Sequence, residues 1–339
     1  MTRQARHWYF NARPKGEIEA DTLLLREEPV PELRDGELLV RSIYMSLDAT
    51  NRVWMSDWEI YMEPVRVGER MRGFIVGQVM QSRNIGYAEG DLVAGLSSWS
   101  DYAVDDGRVF QKLPPIPGLS LADAFGVLMV AGPTALVGLM EIGKPKPGDT
   151  VVVTAAAGAV GSLVGQIAKI HGCRTIGIAG GAEKCRWLKA EMGYDEVIDY
   201  KHEKVVERLR ELAPGGIDVH FENVGGDVLD AGLTAMKDFG RVVICGLIST
   251  YNAAGPVPGP YMFRNLIMRR LTVQGFVILD YLDRYPEFQQ KLAGWMLEGR
   301  LKYRLHIVDG LENAVDALKL LYSGGNHGKL MVRIGPEPG

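Results

Sequence analysis

Residues 149–171 read DTVVVTAAAGAVGSLVGQIAKIH. Thr150, Val151, Val152 and Val153 form a β-branched run suited to a buried strand. A turn of small residues follows, Ala156-Ala157-Gly158-Ala159-Val160-Gly161, a G-x-G-x-x-G pattern with Ala in the first glycine place. Beyond it Val160, Leu163, Val164, Ile167 and Ala168 recur at helical spacing and make one apolar face. Strand, tight turn and helix in this order aim backbone N–H groups and a helix N-terminus at one point, the geometry that receives a phosphate. Gly158 lets a pyrophosphate approach the backbone, and Gly161 lets the helix pack closely on the strand. Small residues also serve plain helix–strand packing, so this turn alone leaves both readings open.

Downstream, strand and helix alternate. Strands are expected at 150–154, 175–179, 197–200, 217–222, 241–245 and 271–278. Helices are expected at 159–171, 183–192, 203–212 and 228–237. Strands separated by helices of about ten residues need crossover connections, hence a doubly wound parallel sheet with helices on both faces. The first 125 residues read differently: short β-like runs at 37–43, 73–80 and 91–94, broken by Gly- and Asp-rich turns. After a helix near 286–297 the tail returns to β texture at 304–308 and 330–334, with one helix, 311–322, between. The expected organisation is a β-rich domain from 1–125 and 305–339, and an α/β dinucleotide-binding domain from 126–304.

A chain of 339 residues suits two domains, and 47% hydrophobic with 24% charged residues is ordinary for a packed globular protein. The net charge is -4 and no basic stripe appears, so nucleic acid is not an expected partner. No apolar run of about 18 residues stands out, so no membrane span is expected. The opening MTRQARHWYFNARPKG lacks the apolar core of a signal peptide, which points to a cytoplasmic protein. Cys173, Cys185 and Cys245 form no C-x-x-C and the six His are scattered, so no metal site is expected.

An NAD site presents Asp or Glu about 20 residues after the glycine turn, bonded to the ribose hydroxyls. Here the second strand ends in Ala179-Gly180-Gly181, and Glu183-Lys184-Cys185-Arg186 opens the next helix. Lys184 can meet a 2′-phosphate as a point charge, and the missing carboxylate removes a repulsion, which favours NADPH over NADH. Arg186 is a second candidate, for which a solvated helix face is an equal alternative; the same alternative for Lys184 is the weaker one. Strand four ends at Glu222-Asn223-Val224-Gly225-Gly226, and strand five runs into Cys245-Gly246-Leu247-Ile248-Ser249-Thr250-Tyr251. Ligands of open α/β sheets bind beyond such carboxyl ends.

AAAGAVGS (155–162), AGGAEKC (179–185), FENVGG (221–226), GRVVICGLISTYN (240–252), WMLEGRLKY (295–303) and GNHGKLMVRI (325–334) resemble the medium-chain dehydrogenase/reductase superfamily. More narrowly they are similar to its zinc-independent prostaglandin reductase and alkenal double-bond reductase branch, which includes the leukotriene hydroxydehydrogenases. MSLDATNR (45–52) and VGERMRGFIVGQV (67–79) extend the resemblance to the first domain. It implies a GroES-like β-rich domain, a Rossmann domain and bound NADP(H). By motif, Gly158, Ala159, Val160 and Gly161 would line the pyrophosphate, and Lys184 and Tyr200 the 2′-phosphate. Asn223, the run Cys245, Gly246, Leu247, Ile248, Ser249, Thr250 and Tyr251, then Phe276, Val277, Ile278 and Asn326 would complete the cofactor contacts. Zinc alcohol dehydrogenases of the superfamily carry Cys and His where this chain has Ser46 and Val67-Gly68-Glu69, so no zinc is expected. One departure stands out: where related reductases read Asp-Pro-Tyr-Met-Arg, this chain has Asp48-Ala49-Thr50-Asn51-Arg52. The aromatic is lost, with Trp54, Trp58 or Tyr61 as replacements.

The resemblance implies reduction of the carbon–carbon double bond of an α,β-unsaturated ketone or aldehyde. Hydride reaches the β-carbon, and negative charge builds on the carbonyl oxygen. Without metal, a hydrogen-bond donor must meet that oxygen, and Tyr251, a phenol at the end of strand five, is the candidate. Tyr44, Tyr61 and Trp99 are candidate substrate-wall residues, each of which could instead be core. Tyr261 and Met262 lie in a Pro/Gly-rich loop, 255–262, that could form a lid. A quinone oxidoreductase, or a cofactor-binding protein without catalysis, are the alternative readings. The apolar β run 271–277 at the sheet edge suggests a homodimer joined through the Rossmann sheets.

Overall fold

The computed structural model describes residues 3–338. By its internal contacts the chain falls into two units: residues up to Gly126 with Leu305–Gly325 and those from Leu330 onward, and Val127–Arg304 with Asn326–Lys329.

The first unit is β-rich. β1 (Gln4–Phe10) and β2 (Leu23–Pro29) form an antiparallel pair. β3 (Leu38–Ser46) is followed by a short helix, α1 (Thr50–Trp54), and then by β4 (Arg72–Ser82), β5 (Leu92–Ser98), β6 (Tyr102–Asp105) and β7 (Phe110–Lys112). β3 is almost wholly buried, with Arg41 as its one half-buried residue. Its core gathers Phe10, Leu38, Met45, Trp54, Ile75 and Trp99. α2 (Leu121–Leu128) ends this part of the chain.

The second unit opens with α3 (Ala131–Val137), which runs into a π-helical turn at Gly138–Gly143. Alternating elements follow: β8 (Thr150–Val153), α4 (Ala159–Ile170), β9 (Arg174–Ala179), α5 (Ala182–Ala190), β10 (Glu196–Asp199), α6 (Val205–Leu212), β11 (Ile217–Glu222), α7 (Gly226–Ala235) and β12 (Met236–Ile244). After them come α8 (Asn265–Met268), β13 (Thr272–Gly275) and α9 (Tyr285–Leu297). The six strands pair in parallel in the order β10-β9-β8-β11-β12-β13. The order reverses between β8 and β11, the topological switch point of a Rossmann sheet. The tail, β14 (Leu305–Asp309), α10 (Ala314–Ser323) and β15 (Lys329–Arg333), extends the first unit's sheet in the order β14-β15-β3-β4-β5-β7, with β6 also on β3.

Three differences from the sequence reading have physical causes. β12 begins at Met236, directly after α7, where helix was expected to 237; Met236 turns into the core at 2% exposure and pulls the chain into the sheet. The last sheet strand is only Thr272–Gly275, because the residues after it leave the sheet for a 3₁₀ turn. The helical stretch Leu121–Gly143 is long and apolar enough to pass for a membrane span, contrary to the expectation that no such run exists; 83% of its most apolar part is buried inside the protein.

Packing of α4 on the sheet depends on its two glycines. A Cβ on Gly161 would stand 2.5 Å from the Ala155 carbonyl oxygen, which is backbone and cannot swing away. A Cβ on Gly165 would stand 2.1 Å from the Tyr194 ring, whose hydroxyl donates to the Gly161 carbonyl at 2.6 Å. Gly161→Ala is therefore expected to lower the urea midpoint by the equivalent of about 1–3 kcal/mol through overpacking. A midpoint equal to wild type would show that α4 does not need the close approach.

Candidate functional site

Apart from Asn326 in the tail, the sequence-predicted site residues of the second unit lie beyond the C-terminal ends of β8, β9, β10, β11, β12 and β13. After β8 the backbone turns through Ala155, a non-glycine residue at φ 47°, in the left-handed region that costs an L-residue energy. The residues that precede α4, α5 and α7 are Gly158, Gly181 and Gly225, which have no side chain to cap the helix that follows. Three helix N-termini at neighbouring strand ends concentrate N–H donors and positive dipole ends where an anion would lie.

β9 itself ends without a carboxylate, in Ala179-Gly180-Gly181, while the Asp199 carboxylate at the end of β10 accepts from Gly181 N–H. The Tyr200 ring leans on that turn, so closely that a Cβ on Gly180 would stand 2.8 Å from it. Burial, and then the positive charge of Lys201, hold the Lys184 ammonium below its ordinary pKa, against a smaller pull from Glu183. Asp199 ties this corner together, accepting from Gly181 N–H at 2.8 Å and Lys201 N–H at 3.1 Å, with His202 Nδ1 at 2.9 Å. Burial acts against it, but these hydrogen bonds keep the Asp199 carboxyl below its usual value. Arg186 lies on the exposed side of α5. Lys201 was missed in the sequence, where only its adjacency to Tyr200 signalled it.

At the switch point, Asn223 donates through Nδ2 to the Thr154 carbonyl at 2.7 Å, so β11 and β8 are tied at their ends. The Asn223 carbonyl accepts from Ile248 N–H at 3.1 Å, and the Val224 carbonyl from Ser249 N–H at 3.0 Å. These bonds hold the segment Cys245–Tyr251 over the end of β11, with a 3₁₀ turn at Ile248–Thr250. Tyr251 folds back so that its hydroxyl oxygen accepts from Leu247 N–H at 3.1 Å. Burial, reinforced by the Glu222 charge, pushes the Cys245 thiol up to about 12, so it stays protonated near neutral pH. Phe276, Val277 and Ile278 follow β13 as half-buried residues. Gly328 pairs with Gly158 and donates its N–H to the Ala157 carbonyl at 3.0 Å, while Asn326 Nδ2 donates to the Gly328 carbonyl at 3.1 Å. The tail segment thus reaches the turn at Gly158, Ala159, Val160 and Gly161.

In the first unit the candidate substrate residues separate. Trp99 is wholly buried in the β core. Tyr44 is 3% exposed and donates its hydroxyl to Glu337 at 2.6 Å; burial, with that carboxylate, pushes its phenol up to about 12. Tyr61 is 47% exposed, accepts from Trp54 Nε1 at 3.0 Å and bonds the Thr50 hydroxyl. Its hydroxyl thus reaches Thr50, in the stretch 48–52 where the sequence departs from the resemblance. Ser46 donates to Asp48, and Glu69 accepts from Arg66 N–H at 3.0 Å. Among the described residues no three His, Cys, Asp or Glu side chains gather as metal ligands. The loop 255–262 is shorter than expected, because Tyr261–Arg264 forms a 3₁₀ turn whose Tyr261 and Met262 N–H groups donate to Asp230.

Comparison with known proteins agrees with this arrangement. Residues 6–113 match the family described as the N-terminal domain of oxidoreductase, and 159–296 match the zinc-binding dehydrogenase family. NADPH-dependent curcumin reductase of Escherichia coli (strain K12) is 41% identical over 337 residues, 97% of this chain and 96% of its own. Prostaglandin reductase 1 of Bos taurus is 39% identical over 319 residues, 91% of this chain and 93% of its own. The crystal structure of CurA from Vibrio vulnificus in complex with NADPH superposes with a TM-score of 0.91 at 42% identity, covering 98% of this chain and 100% of that one.

Proposed function

The chain belongs to the medium-chain dehydrogenase/reductase superfamily, in its prostaglandin reductase branch, and from that premise we propose that it is an NADPH-dependent reductase of α,β-unsaturated ketones and aldehydes that works without zinc. The reading of the cofactor rests on the corner after β9, where the charge of Lys201 acts on Lys184 near the Tyr200–Gly180 contact and the Asp199 carboxylate is taken up by backbone N–H groups and His202. Such a corner receives a dianion and gives nothing to a ribose bearing two hydroxyls. The Gly161 approach leaves room on the turn after β8 for a pyrophosphate, with Asn223 and Asn326 beside it. Bound there, NADPH supplies the hydride that adds to the β-carbon of the enone.

The remaining task falls to the chain's own groups. Negative charge that develops on the substrate oxygen needs a placed donor in a site that excludes water. The Tyr251 phenol is held in position by the hydrogen bond from Leu247 N–H. A hydroxyl that accepts such a bond is polarised toward donating its own proton, the direction an enolate oxygen requires. In the first unit Tyr61 keeps an exposed aromatic face for a substrate, whereas Tyr44 and Trp99 are packing residues.

NADPH oxidation on a small enone and on a quinone, compared under one set of conditions, tests the activity; turnover of the quinone alone would favour the oxidoreductase alternative. Lys184→Ala should raise KM for NADPH by roughly tenfold or more, the loss of a charge-assisted contact, while KM for NADH moves little. Equal effects on both cofactors would remove Lys184 from the 2′-phosphate. Tyr251→Phe should lower kcat on an enone by about 10²-fold with NADPH affinity nearly unchanged; an unchanged kcat would exclude the phenol as the donor.

We also propose a homodimer joined through β13. All four residues of this edge strand are exposed, with Val273 at 41%, and an edge left open in this way is a template for pairing with a second copy. Light scattering should report twice the chain mass of 37.3 kDa, and Val273→Asp should shift it to the single mass. A wild-type protein that runs as a monomer at micromolar concentration would refute the pairing.

A further inference from the structure

His220 and Glu222 stand two residues apart on β11, so their side chains share one face of the strand. Both are wholly buried. His220 Nε2 lies 2.6 Å from Glu222 Oε2. The other carboxylate oxygen accepts from the Thr154 hydroxyl at 3.1 Å, from Val224 N–H, and from Gly225 N–H at 2.7 Å. A carboxylate in such a place is costly unless its lone pairs are filled. Here these donors and the N-terminal end of α7 fill them.

The partners of Glu222 belong to separate turns of the site. The Thr154 hydroxyl ends β8 and accepts in turn from Asn223 N–H at 2.7 Å. Val224 and Gly225 form the turn into α7, where Gly225 sits at φ 86°. The Glu222 carbonyl accepts from Cys245 N–H at 2.9 Å and Gly246 N–H at 3.2 Å, at the end of β12. His220 is itself held by α7, because its ring lies where a Cβ on Gly232 would stand 2.6 Å away. Its Nδ1 has no hydrogen-bond partner among the described residues. The proton therefore belongs on Nε2, directed at the carboxylate, since a buried lone pair is cheaper to leave unpartnered than a buried N–H.

We propose that Glu222, oriented by His220, is a positioning residue for the dinucleotide floor: its carboxylate fixes the turn Asn223–Gly226 and, through Thr154, the turn after β8, before any cofactor arrives. The inference deepens the cofactor reading above and rests on it. Glu222 touches neither cofactor nor substrate; it acts through the backbone of residues that would.

Amide hydrogen exchange on the full chain without cofactor, with NADPH binding measured by fluorescence on the same samples, tests this. Glu222→Gln keeps the size and one acceptor oxygen but removes the charge and turns an amide donor toward His220. Exchange in 223–226 should accelerate by about tenfold or more, while 150–153 and 217–221 keep their protection. The NADPH dissociation constant should rise by roughly tenfold, as for the loss of one charge-assisted hydrogen bond. Acceleration spread evenly over the sheet, with unchanged NADPH affinity of the folded protein, would mean a merely structural carboxylate and overturn the proposal, as would unchanged exchange at 223–226. Should Glu222→Gln not fold, Thr154→Val and Thr154→Ser decide. Val cuts the link and should reproduce both effects, Ser restores the hydroxyl and should not, and equal behaviour of the two overturns the proposal. A wild-type protein that does not bind NADPH would remove the cofactor reading, while the exchange pattern still decides whether Glu222 holds the turns.

Discussion

The close approach of α4 to the turn after β8 is the constraint on which the second unit depends. A parallel sheet can place helix N-termini at its carboxyl edge only if each crossover packs back on the strand it has just left. At Gly161 that contact is backbone against backbone, with the Ala155 carbonyl as the neighbour. Strain at Ala155, the hydrogen bond from Tyr194 to Gly161 and the pairing of Gly328 with Gly158 all surround the same turn. The turn is therefore over-determined, which is how an L-residue persists at a positive φ. Its rigidity also has a functional side: a floor already in place costs a ligand little ordering entropy on binding.

Elements whose side chains reported their own burial were legible in the sequence. β8 covers Thr150–Val153, within the expected 150–154, and α4 begins at Ala159, as expected, because a β-branched run and a 3.6-residue apolar stripe each report burial directly. β1 and β2 were not legible: QARHWYF and LLLREEP carry Arg and Glu at positions that form ion pairs and cation–π contacts on the surface of the pair, such as Arg70 with Glu28 and Tyr9. β7, with three residues, is too short to show a period. The aromatic candidates diverged for a related reason. A Tyr or Trp in a strand shows its type but not which face it takes, and a shift of one residue changes core for surface. Trp99 and Tyr44 turned inward, whereas Tyr61, in irregular chain, remained outward.

Polar residues of the site were legible by type but not by partner. Glu222 reads in the sequence as the last residue of a strand; that its carboxylate is buried and receives donors from two turns depends on tertiary neighbours 68 residues away at Thr154. Lys201 is equally silent, since surface lysines are common and its proximity to Lys184 arises from the parallel pairing of β9 with β10. Local periodicity carries the scaffold, and the non-local pairing of strand ends carries the electrostatics.

On the proposed reading, those electrostatics would give the β9 corner its selectivity. Burial and the neighbouring Lys201 both disfavour the charged form of Lys184. A dianion placed near both reverses the sign of that interaction and raises the Lys184 pKa back toward its ordinary value. A neutral ribose edge does neither. On that reading discrimination would come from the ground-state cost as much as from the attraction, in the sense that specificity is a difference between two affinities. Asp199 takes part without opposing the anion directly: its carboxylate is occupied by Gly181 N–H, Lys201 N–H and His202, which locks the backbone on which both cations are mounted. The corner thus carries two lysines in its side chains and is anchored by a carboxylate in its backbone, which shapes the turn; reading the ligand is the role proposed for the lysines.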